Sequence, residues 1–373
     1  MVKVLEKLKY IENGGIEKFV FDSVSRLDPH TAEAEIYYEN KPSTDKYIDF
    51  AEKHNIKLIC PAQNYASIRF KPFRVLAKWN GFLRYAKENH YDIIHIHLCR
   101  PYDGLYAMGA QIAGCKNIIL HSHFSERSDC KFFEKILDPI FRTVNRITGS
   151  KFAACSESAA RYMFGKTDFI LLKNGIDTSA FSYSVGIRTA ERKRMKLSDS
   201  FVIGNVGRLC ELKNQTFLLD IFSEIVKIHS NSILVIAGDG ELLDSLREKA
   251  KALDISEKVV FCGSVDNVSA LYQAFDCFVF PSLSEGLGIA AVEAQTSGLI
   301  TVCSDGVPKE AAVTELCSFM PLSASPKEWA EHILSACEGY ERRSYAEEIK
   351  AAGYDINDTA KQLEKIYRSL LDG

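Results

Sequence analysis

The stretch CFVFPSLSEGLGIAAVEA, Cys277–Ala294, reads as a strand, a turn and a helix in direct succession. Cys277–Phe280 is a short run apolar on both faces, Pro281 closes it, Gly286-Leu287-Gly288 supplies a turn, and an alanine-rich helix starts near Gly288. A strand that can be buried on both sides, followed at once by a helix, is the βα unit of a parallel sheet. Glu285 stands at the strand's carboxyl end, and Glu293 lies inside the helix.

The same alternation runs along the chain in both directions. Further candidate strands are Val2–Leu8, Ala34–Tyr38, Ile56–Ile59, Ile93–His97, Ile118–His121, Phe152–Ala154 and Phe169–Leu172 in one series. Phe201–Val206, Ser232–Ala237, Val259–Phe261 and Ile300–Cys303 join Cys277–Phe280 in a second. Amphipathic segments such as Phe73–Asn89 and Phe217–His229 separate them. The expected class is α/β, with two parallel-sheet blocks. Lys173-Asn174-Gly175-Ile176-Asp177 is the turn-rich seam, which divides the chain into residues 1–173 and 174–354. The last helix has an apolar stripe at Ala360, Leu363, Ile366, Tyr367 and Leu370, and residues 355–373 are expected to pack back on the first domain. The segment Ser179–Ser200 reads as polar and irregular, its ERKRMK cluster as a solvated helix face.

Composition narrows the function. The 373 residues exceed one ordinary core and suit two domains. A net charge of −3 gives no reason to expect nucleic acid as the partner. No apolar run approaches the roughly 18 residues that cross a bilayer, and the N-terminus lacks the apolar core of a signal peptide, so the expected location is cytoplasmic. Eleven cysteines, an odd count without a C-x-x-C pair, point to reduced thiols.

Open α/β sheets bind ligands beyond the carboxyl ends of their strands, and two such domains facing each other leave a cleft between them. Glu285 lies at such an end. The glycines after it let backbone N–H groups approach a ligand, and a helix beginning near Gly288 suits a phosphate. Glu293 sits about 7 Å further along the axis, where a carboxylate can accept from the paired hydroxyls of a ribose. A nucleotide sugar laid along this helix touches both carboxylates; the plainer alternative makes Glu285 an N-cap neighbour and Glu293 an exposed helix residue. In GRLCELKN, Arg208 and Lys213 place two cations past another strand, able to clamp a diphosphate, or simply to sit on the surface. Gly14-Gly15 lies after the first strand and before a helix, a weak signal that more often marks an ordinary turn.

DIIHIHLCRPYDG and IILHSHFSE each carry H-x-H at a strand end. His95, His97, His121 and His123 have the ingredients of a metal site, since i and i+2 share a strand face, but no carboxylate or thiol at ligand spacing completes it. No metal is therefore expected.

EGLGIAAVEA resembles the E-x7-E signature of family 4 glycosyltransferases. ENGGIEKFV, ACSESAARYMFG, NGID, IGNVGRLCELKN, IAGDGEL and VFCGSVDNVSALYQAFDCFVFPS match the same pattern in order, so the resemblance spans nearly the whole chain. It is closest to the branch that builds bacterial capsular and exopolysaccharides. The resemblance implies the GT-B fold of two facing Rossmann-like domains: an acceptor-side first domain and a donor-binding second one. It implies a retaining hexosyltransferase with a nucleotide diphosphate sugar, UDP-linked, as donor substrate and no cofactor. Residues matching Arg208 and Lys213 hold the diphosphate. Gly14 and Gly15 face the donor phosphate, and Gly286, Leu287 and Gly288 bind the donor between Glu285 and Glu293. His121 orients a sugar hydroxyl, and His123 is an acceptor-side neighbour. No D-x-D metal motif occurs, which agrees with leaving-group stabilisation by Arg208 and Lys213. A nucleotide-sugar 2-epimerase and a non-catalytic binding partner share the architecture; the first lacks this helix pattern, and the second would show degraded motifs.

The acceptor is expected to be a glycan, free or lipid-linked, reached at the inner membrane face. RFKPFRVLAKWNGFLR (Arg69–Arg84) and KFFEKILDPIFR (Lys131–Arg142) mix cations with aromatics. Phe70, Phe73, Trp79 and Phe82 could enter headgroups while Lys71, Arg74, Lys78 and Arg84 meet anionic lipid. Alternatively, the aromatics are core.

Overall fold

A computed structural model describes residues 1–371 except 13, 41, 43–44, 62–64, 66–67, 69, 125–131, 150, 166–167 and 198, and no side chain at 71–72 or 132–136. The chain divides into two units: Met1–Gly175 joined by the helix Ile356–Leu371, and Ile176–Asp355.

The first unit holds β1 (Val2–Leu8), β2 (Ala32–Tyr38), β3 (Lys57–Ile59), β4 (Ile93–Leu98), β5 (Asn117–Ser122), β6 (Lys151–Ala154) and β7 (Ile170–Leu171). They form one parallel sheet in the order β3-β2-β1-β4-β5-β6-β7. The second unit holds β8 (Phe201–Val206), β9 (Ser232–Ala237), β10 (Val259–Gly263), β11 (Cys277–Phe280), β12 (Ile300–Ser304) and β13 (Cys317–Met320), parallel in the order β10-β9-β8-β11-β12-β13. Each order reverses once, at β1/β4 and at β8/β11. The loops leaving those strands splay apart there and open a crevice for ligands.

Central strands are apolar on both faces because helices cover both. Each unit accordingly has its own core. In the first, Phe19, Phe21, Ile36 and Ile119 pack with Leu363, Ile366 and Tyr367 of the C-terminal helix. In the second, Leu218, Phe222, Ile236 and Val279 pack with Trp329 and Ile333. Burying a side chain of this size stabilises by about 1.5–3 kcal/mol before entropy is counted.

Three sequence readings need correction. The segment Ser179–Ser200 is not irregular: Val185–Arg194 is a helix whose N-cap Ser184 accepts from Ile187 N. The ERKRMK cluster within it is not wholly a solvated face. Arg192 donates to the carbonyls of Ala274 and Ser200 and pairs with Asp276, an anchor that a charge count cannot reveal. β13, half-buried along its length at the edge of the sheet, mixes Cys and Ser with Phe and Met and so has no apolar run to read.

The third correction concerns the helix Lys71–Asn89. Phe82 is fully buried against Tyr37 and Tyr106, and Trp79 is half-buried with Nε1 donating to Leu105 O at 3.0 Å. Lys78 donates to Asn40 Oδ1 at 2.5 Å. These three fall on the side of the helix that faces the helix Leu105–Ile112 and the end of β2. Phe70 and Phe73 stay exposed, joined by Val75 and Leu76. The positions of Arg69 and Lys131, and the side chain of Lys71, lie outside the described residues. No helix among the described residues is long and apolar enough to cross a membrane. The described cysteines are free thiols.

Candidate active site

Both switch-point strands of the second unit deliver site residues. β8 ends at Val206 and runs through Gly207-Arg208 into a short turn, Glu211–Lys213. Its shape is held from beneath. Asn205 Nδ2 donates to Val279 O at 2.8 Å, tying β8 to β11, and the fully buried Gln215 donates to Arg208 O at 3.0 Å. The neighbouring GDGE loop presses against it: a Cβ on Gly238 would run into the Gly207 carbonyl, and only glycine allows that approach at φ +139°.

β11 continues through Pro281 to Glu285. Leu283 N donates to Leu212 O at 2.7 Å and Glu285 N to Gly306 O at 3.2 Å, so the loops after β8, β11 and β12 are linked by backbone bonds. Lys213 Nζ then reaches Glu285 Oε1 at 2.5 Å and lies 5.0 Å from the centre of the Phe280 ring. The pair is part-buried, with 23% and 12% of the side chains exposed. Two residues 72 positions apart thus meet at the carboxyl ends of adjacent strands. Arg208 is more exposed and faces Glu241 of the GDGE loop at 3.8 Å.

The helix after the turn is Ile289–Thr296, with Gly288 as its N-cap at φ +88°. Any side chain there would be strained, and a Cβ would also press on Val307. Gly286 and Leu287 are buried. Glu293 is only 5% exposed, which removes the reading of a solvated helix residue. Its Oε2 accepts from Tyr272 OH at 3.1 Å. Burial first, and the Glu293 charge second, push the Tyr272 phenol well above its ordinary range, so it remains a donor.

In the first unit, Gly14 caps the helix Gly15–Val24 without a side-chain hydrogen bond, and the nearby Glu17 carboxylate would collide with a Cβ at 14. The four histidines come together. His95 and His97 on β4 lie beside His121 on β5 and His123 just past it, with His97 and His121 paired in register. His97 Nδ1 is 2.9 Å from His123 Nε2, and His95 Nε2 is 3.3 Å from His121 Nδ1. Phe19 closes the cluster, edge-on to His121 at 5.1 Å.

Sequence reading missed two members. Glu6 on β1, in register with His95, places Oε2 2.7 Å from His97 Nε2 and 3.1 Å from His95 Nδ1. Tyr367 donates to Glu6 Oε1 at 2.5 Å and lies 3.1 Å from His95 Nδ1. A signal for Glu6 was present: a charged pair, Glu6-Lys7, follows the apolar Val4-Leu5 within a strand buried on both faces. For Tyr367 there was none, because its partner lies 361 residues away.

Burial would raise the Glu6 carboxyl, but its electrostatic interaction with His95 and the hydrogen bonds from His95 and His97 outweigh it and hold it well below the usual range. Burial pushes His97 down to about 4, with His95 adding to the effect and Glu6 opposing it. Burial and neighbouring histidines hold His121 and His123 well below the ordinary imidazole value. Ring nitrogens of His95, His97 and His121 lie within 4.8 Å of one another, the compass of a metal ligand set. They are engaged with each other, with Glu6 and with Tyr367, so the arrangement reads first as a hydrogen-bond network.

Parallel sheets with loops converging on switch points define a two-unit α/β protein whose second unit gathers a cation–carboxylate pair and a helix terminus. The chain matches two family models in tandem: Glycosyltransferase Family 4 over residues 13–180 and Glycosyl transferases group 1 over residues 187–352. It is 29% identical over 378 residues to EpsF of Bacillus subtilis (strain 168), named for a glycosyltransferase, covering 98% of this chain and 96% of that one. It is 25% identical over 300 residues to the capsular polysaccharide biosynthesis glycosyltransferase CapH of Staphylococcus aureus, covering 77% and 80%. Among solved structures, Anabaena Alr3699/HepE in complex with UDP and glucose superposes with a TM-score of 0.80 at 18% identity over 99% of this chain and 100% of that one. The fold is GT-B, and the chain belongs to the family 4 glycosyltransferases.

Proposed function

We propose that this glycosyltransferase moves a hexosyl group from a UDP-linked sugar to a hydroxyl of a growing, lipid-linked glycan of the capsular or exopolysaccharide kind, retaining the anomeric configuration and using no metal. The observation that carries this reading is the Lys213–Glu285 pair at the ends of β8 and β11. A cation able to bind phosphate and a carboxylate able to accept from hydroxyls sit in contact at the sheet's switch point, where open α/β sheets bind their ligands.

In this assignment Lys213 and Arg208 take the diphosphate, backbone N–H groups around Gly286-Leu287-Gly288 face it, and Glu293, steadied by Tyr272, accepts the ribose hydroxyls. Glu285 takes a hydroxyl of the hexose, and His121, in the first unit, is assigned a sugar hydroxyl. The acceptor oxygen bonds to the anomeric carbon on the face from which the diphosphate leaves, and its proton passes to the departing phosphate oxygen. No second catalytic carboxylate is needed, unlike in a glycosidase. Stabilisation of the leaving diphosphate by Lys213 and Arg208 supplies the main rate term. The name of CapH and the UDP and glucose bound to HepE agree with this donor and product class.

The reading places the enzyme in the cytoplasm, meeting a lipid-borne acceptor at the inner membrane leaflet. The helices Lys71–Asn89, Leu105–Ile112 and Phe132–Thr148 pack side by side, and their outer faces expose Phe70, Phe73, Leu76, Ile112, Ile140 and Ile147. Single exposed apolar residues are ordinary; the pair Phe70 and Phe73, in ring contact and joined by Leu76, is an apolar surface of the kind that meets a membrane. Incubation with a panel of UDP-sugars and glycan acceptors tests the function. UDP release with an α-linked product from an α-linked donor, undiminished by EDTA, is expected. Inverted linkage, or activity lost to EDTA and restored by Mn²⁺, overturns the mechanism.

A further inference from the structure

Each ring nitrogen of the four clustered histidines is either paired within the cluster or left bare, and which is which follows from the ends of the network. Glu6 is the fixed point, because a carboxylate only accepts. Its Oε2 faces His97 Nε2 at 2.7 Å, so that nitrogen carries the proton. A neutral His97 then offers Nδ1 as an acceptor, and the donor that fills it at 2.9 Å is His123 Nε2–H. The remaining nitrogen of His123, Nδ1, holds a lone pair.

A second arm starts from the other oxygen. Tyr367 donates its proton to Glu6 Oε1. Burial, then the charge of Glu6, keep that phenol protonated. His95 Nδ1 therefore meets two acceptors, the Tyr367 oxygen and Glu6 Oε2, both at 3.1 Å, and carries its proton there. With one proton on each ring, His95 Nε2 accepts from His121 Nδ1–H at 3.3 Å, and His121 Nε2 is left bare. These two end nitrogens, His123 Nδ1 and His121 Nε2, are the ring nitrogens of the cluster that are buried and have no hydrogen-bond partner. The rings that bear them are 4.0 Å apart.

We propose that Glu6 is a positioning residue which, through His97 on one arm and through Tyr367 and His95 on the other, fixes the tautomers of His123 and His121 so that Nδ1 of the first and Nε2 of the second accept hydroxyl protons of the substrate sugars. Two neutral imidazoles held as acceptors match a polyhydroxylated ligand, which supplies the donors that the buried nitrogens lack. The Asn174 side chain lies close to His123, yet its buried Oδ1 and His123 Nδ1 both fall outside hydrogen-bonding geometry. The role assigned to the histidines rests on the reading of the chain as a sugar transferase; the tautomer pattern does not.

Nitrogen-15 NMR of the imidazoles in the ligand-free wild type measures that pattern. His97 and His123 should carry their protons on Nε2, and His95 and His121 on Nδ1; a proton on His123 Nδ1 or on His121 Nε2 overturns the proposal. Glu6→Gln keeps the size but turns one acceptor oxygen into a donor, so at least one of His121 and His123 should shift its proton. Turnover should fall on the order of tenfold or more, the direction seen when an orienting carboxylate is replaced by an amide. Affinity for UDP alone, assigned to the second unit, should hold, and near-native circular dichroism excludes simple unfolding. Unchanged turnover beside shifted tautomers refutes the positioning role. A wild type that transfers no sugar sinks the proposed function instead, while the tautomer result in that same protein remains decisive for the network.

Discussion

Replacing Tyr272 by Phe removes one oxygen from the centre of the second unit and nothing else. The ring contacts with Phe181, Phe275 and Phe278, at 5.5, 5.8 and 5.5 Å, are kept. What is lost is a donor shared between Glu293 Oε2 and Ala290 O, each at 3.1 Å. A hydrogen bond to a charged acceptor contributes about 1.5–3 kcal/mol, and Glu293 is too buried for water to replace the phenol fully. A loss of about 2 kcal/mol is expected from that figure. At roughly 2–4 °C per kcal/mol for a unit of this size, the melting transition drops by about 4–8 °C. Scanning calorimetry reads the shift, and a double-mutant cycle with Glu293→Gln isolates the pair, whose coupling should reach about 1 kcal/mol. A shift within error, or additive single effects, would show that the carboxylate is held by other partners and that Tyr272 does not steady it.

Arg208→Ala and Lys213→Ala should each lower turnover by about a hundredfold, the scale for losing a partner of developing charge, with little change in melting temperature; wild-type rates would remove them from the site. Glu293→Ala should weaken UDP binding in calorimetry, whereas Glu285→Ala should spare UDP and impair the whole donor, and equal losses would refute the assignment along the helix. Sedimentation with anionic vesicles should retain the protein at low salt and release it when Phe70, Phe73 and Leu76 are replaced by Ser; retention unchanged by that substitution would move the contact elsewhere. Acid should weaken the first unit before carboxylates titrate. His97 is lowered from 6.5 to about 4, and His121 and His123 are lowered too, so the unfolded chain binds protons first and stability falls as pH drops from about 6.5 towards 4. Glu6 adds its own loss only below its unfolded value near 4.5, and a urea midpoint flat between pH 7 and 5 would contradict the histidine contribution.

What could be read from the sequence follows from how local each signal is. Strands such as Ser232–Ala237 and Cys277–Phe280 are buried on both faces, so a nearly continuous apolar run marks them to the residue. Glu285 and Lys213 announce themselves through glycine turns at strand ends, which need only a dozen residues of context. β13 has no such mark, being short and half-buried. The inward side of the helix Lys71–Asn89 was obscured because aromatics stand on both of its faces, and only packing tells Phe82 from Phe73. Glu6, Tyr367 and the four histidines illustrate the limit. β1, β4 and β5 are brought side by side by crossover helices, and the tyrosine arrives from the far end of the chain, so no window of sequence contains the network.

That late arrival sets an order on the ribosome. The second unit is a continuous stretch, Ile176–Asp355, and all of it is synthesised before the helix Ile356–Leu371. Domains ordinarily complete from the N-terminus onward. Here the earliest strands to emerge wait longest: β1 presents Glu6 to the histidines while Tyr367, Leu363 and Ile366 are still untranslated. A nascent chain halted at Asp355 should therefore carry a protease-resistant second unit together with a first unit that proteases still cut. The histidine cluster, begun on β1, is finished only when the helix Ile356–Leu371 arrives after the whole second unit.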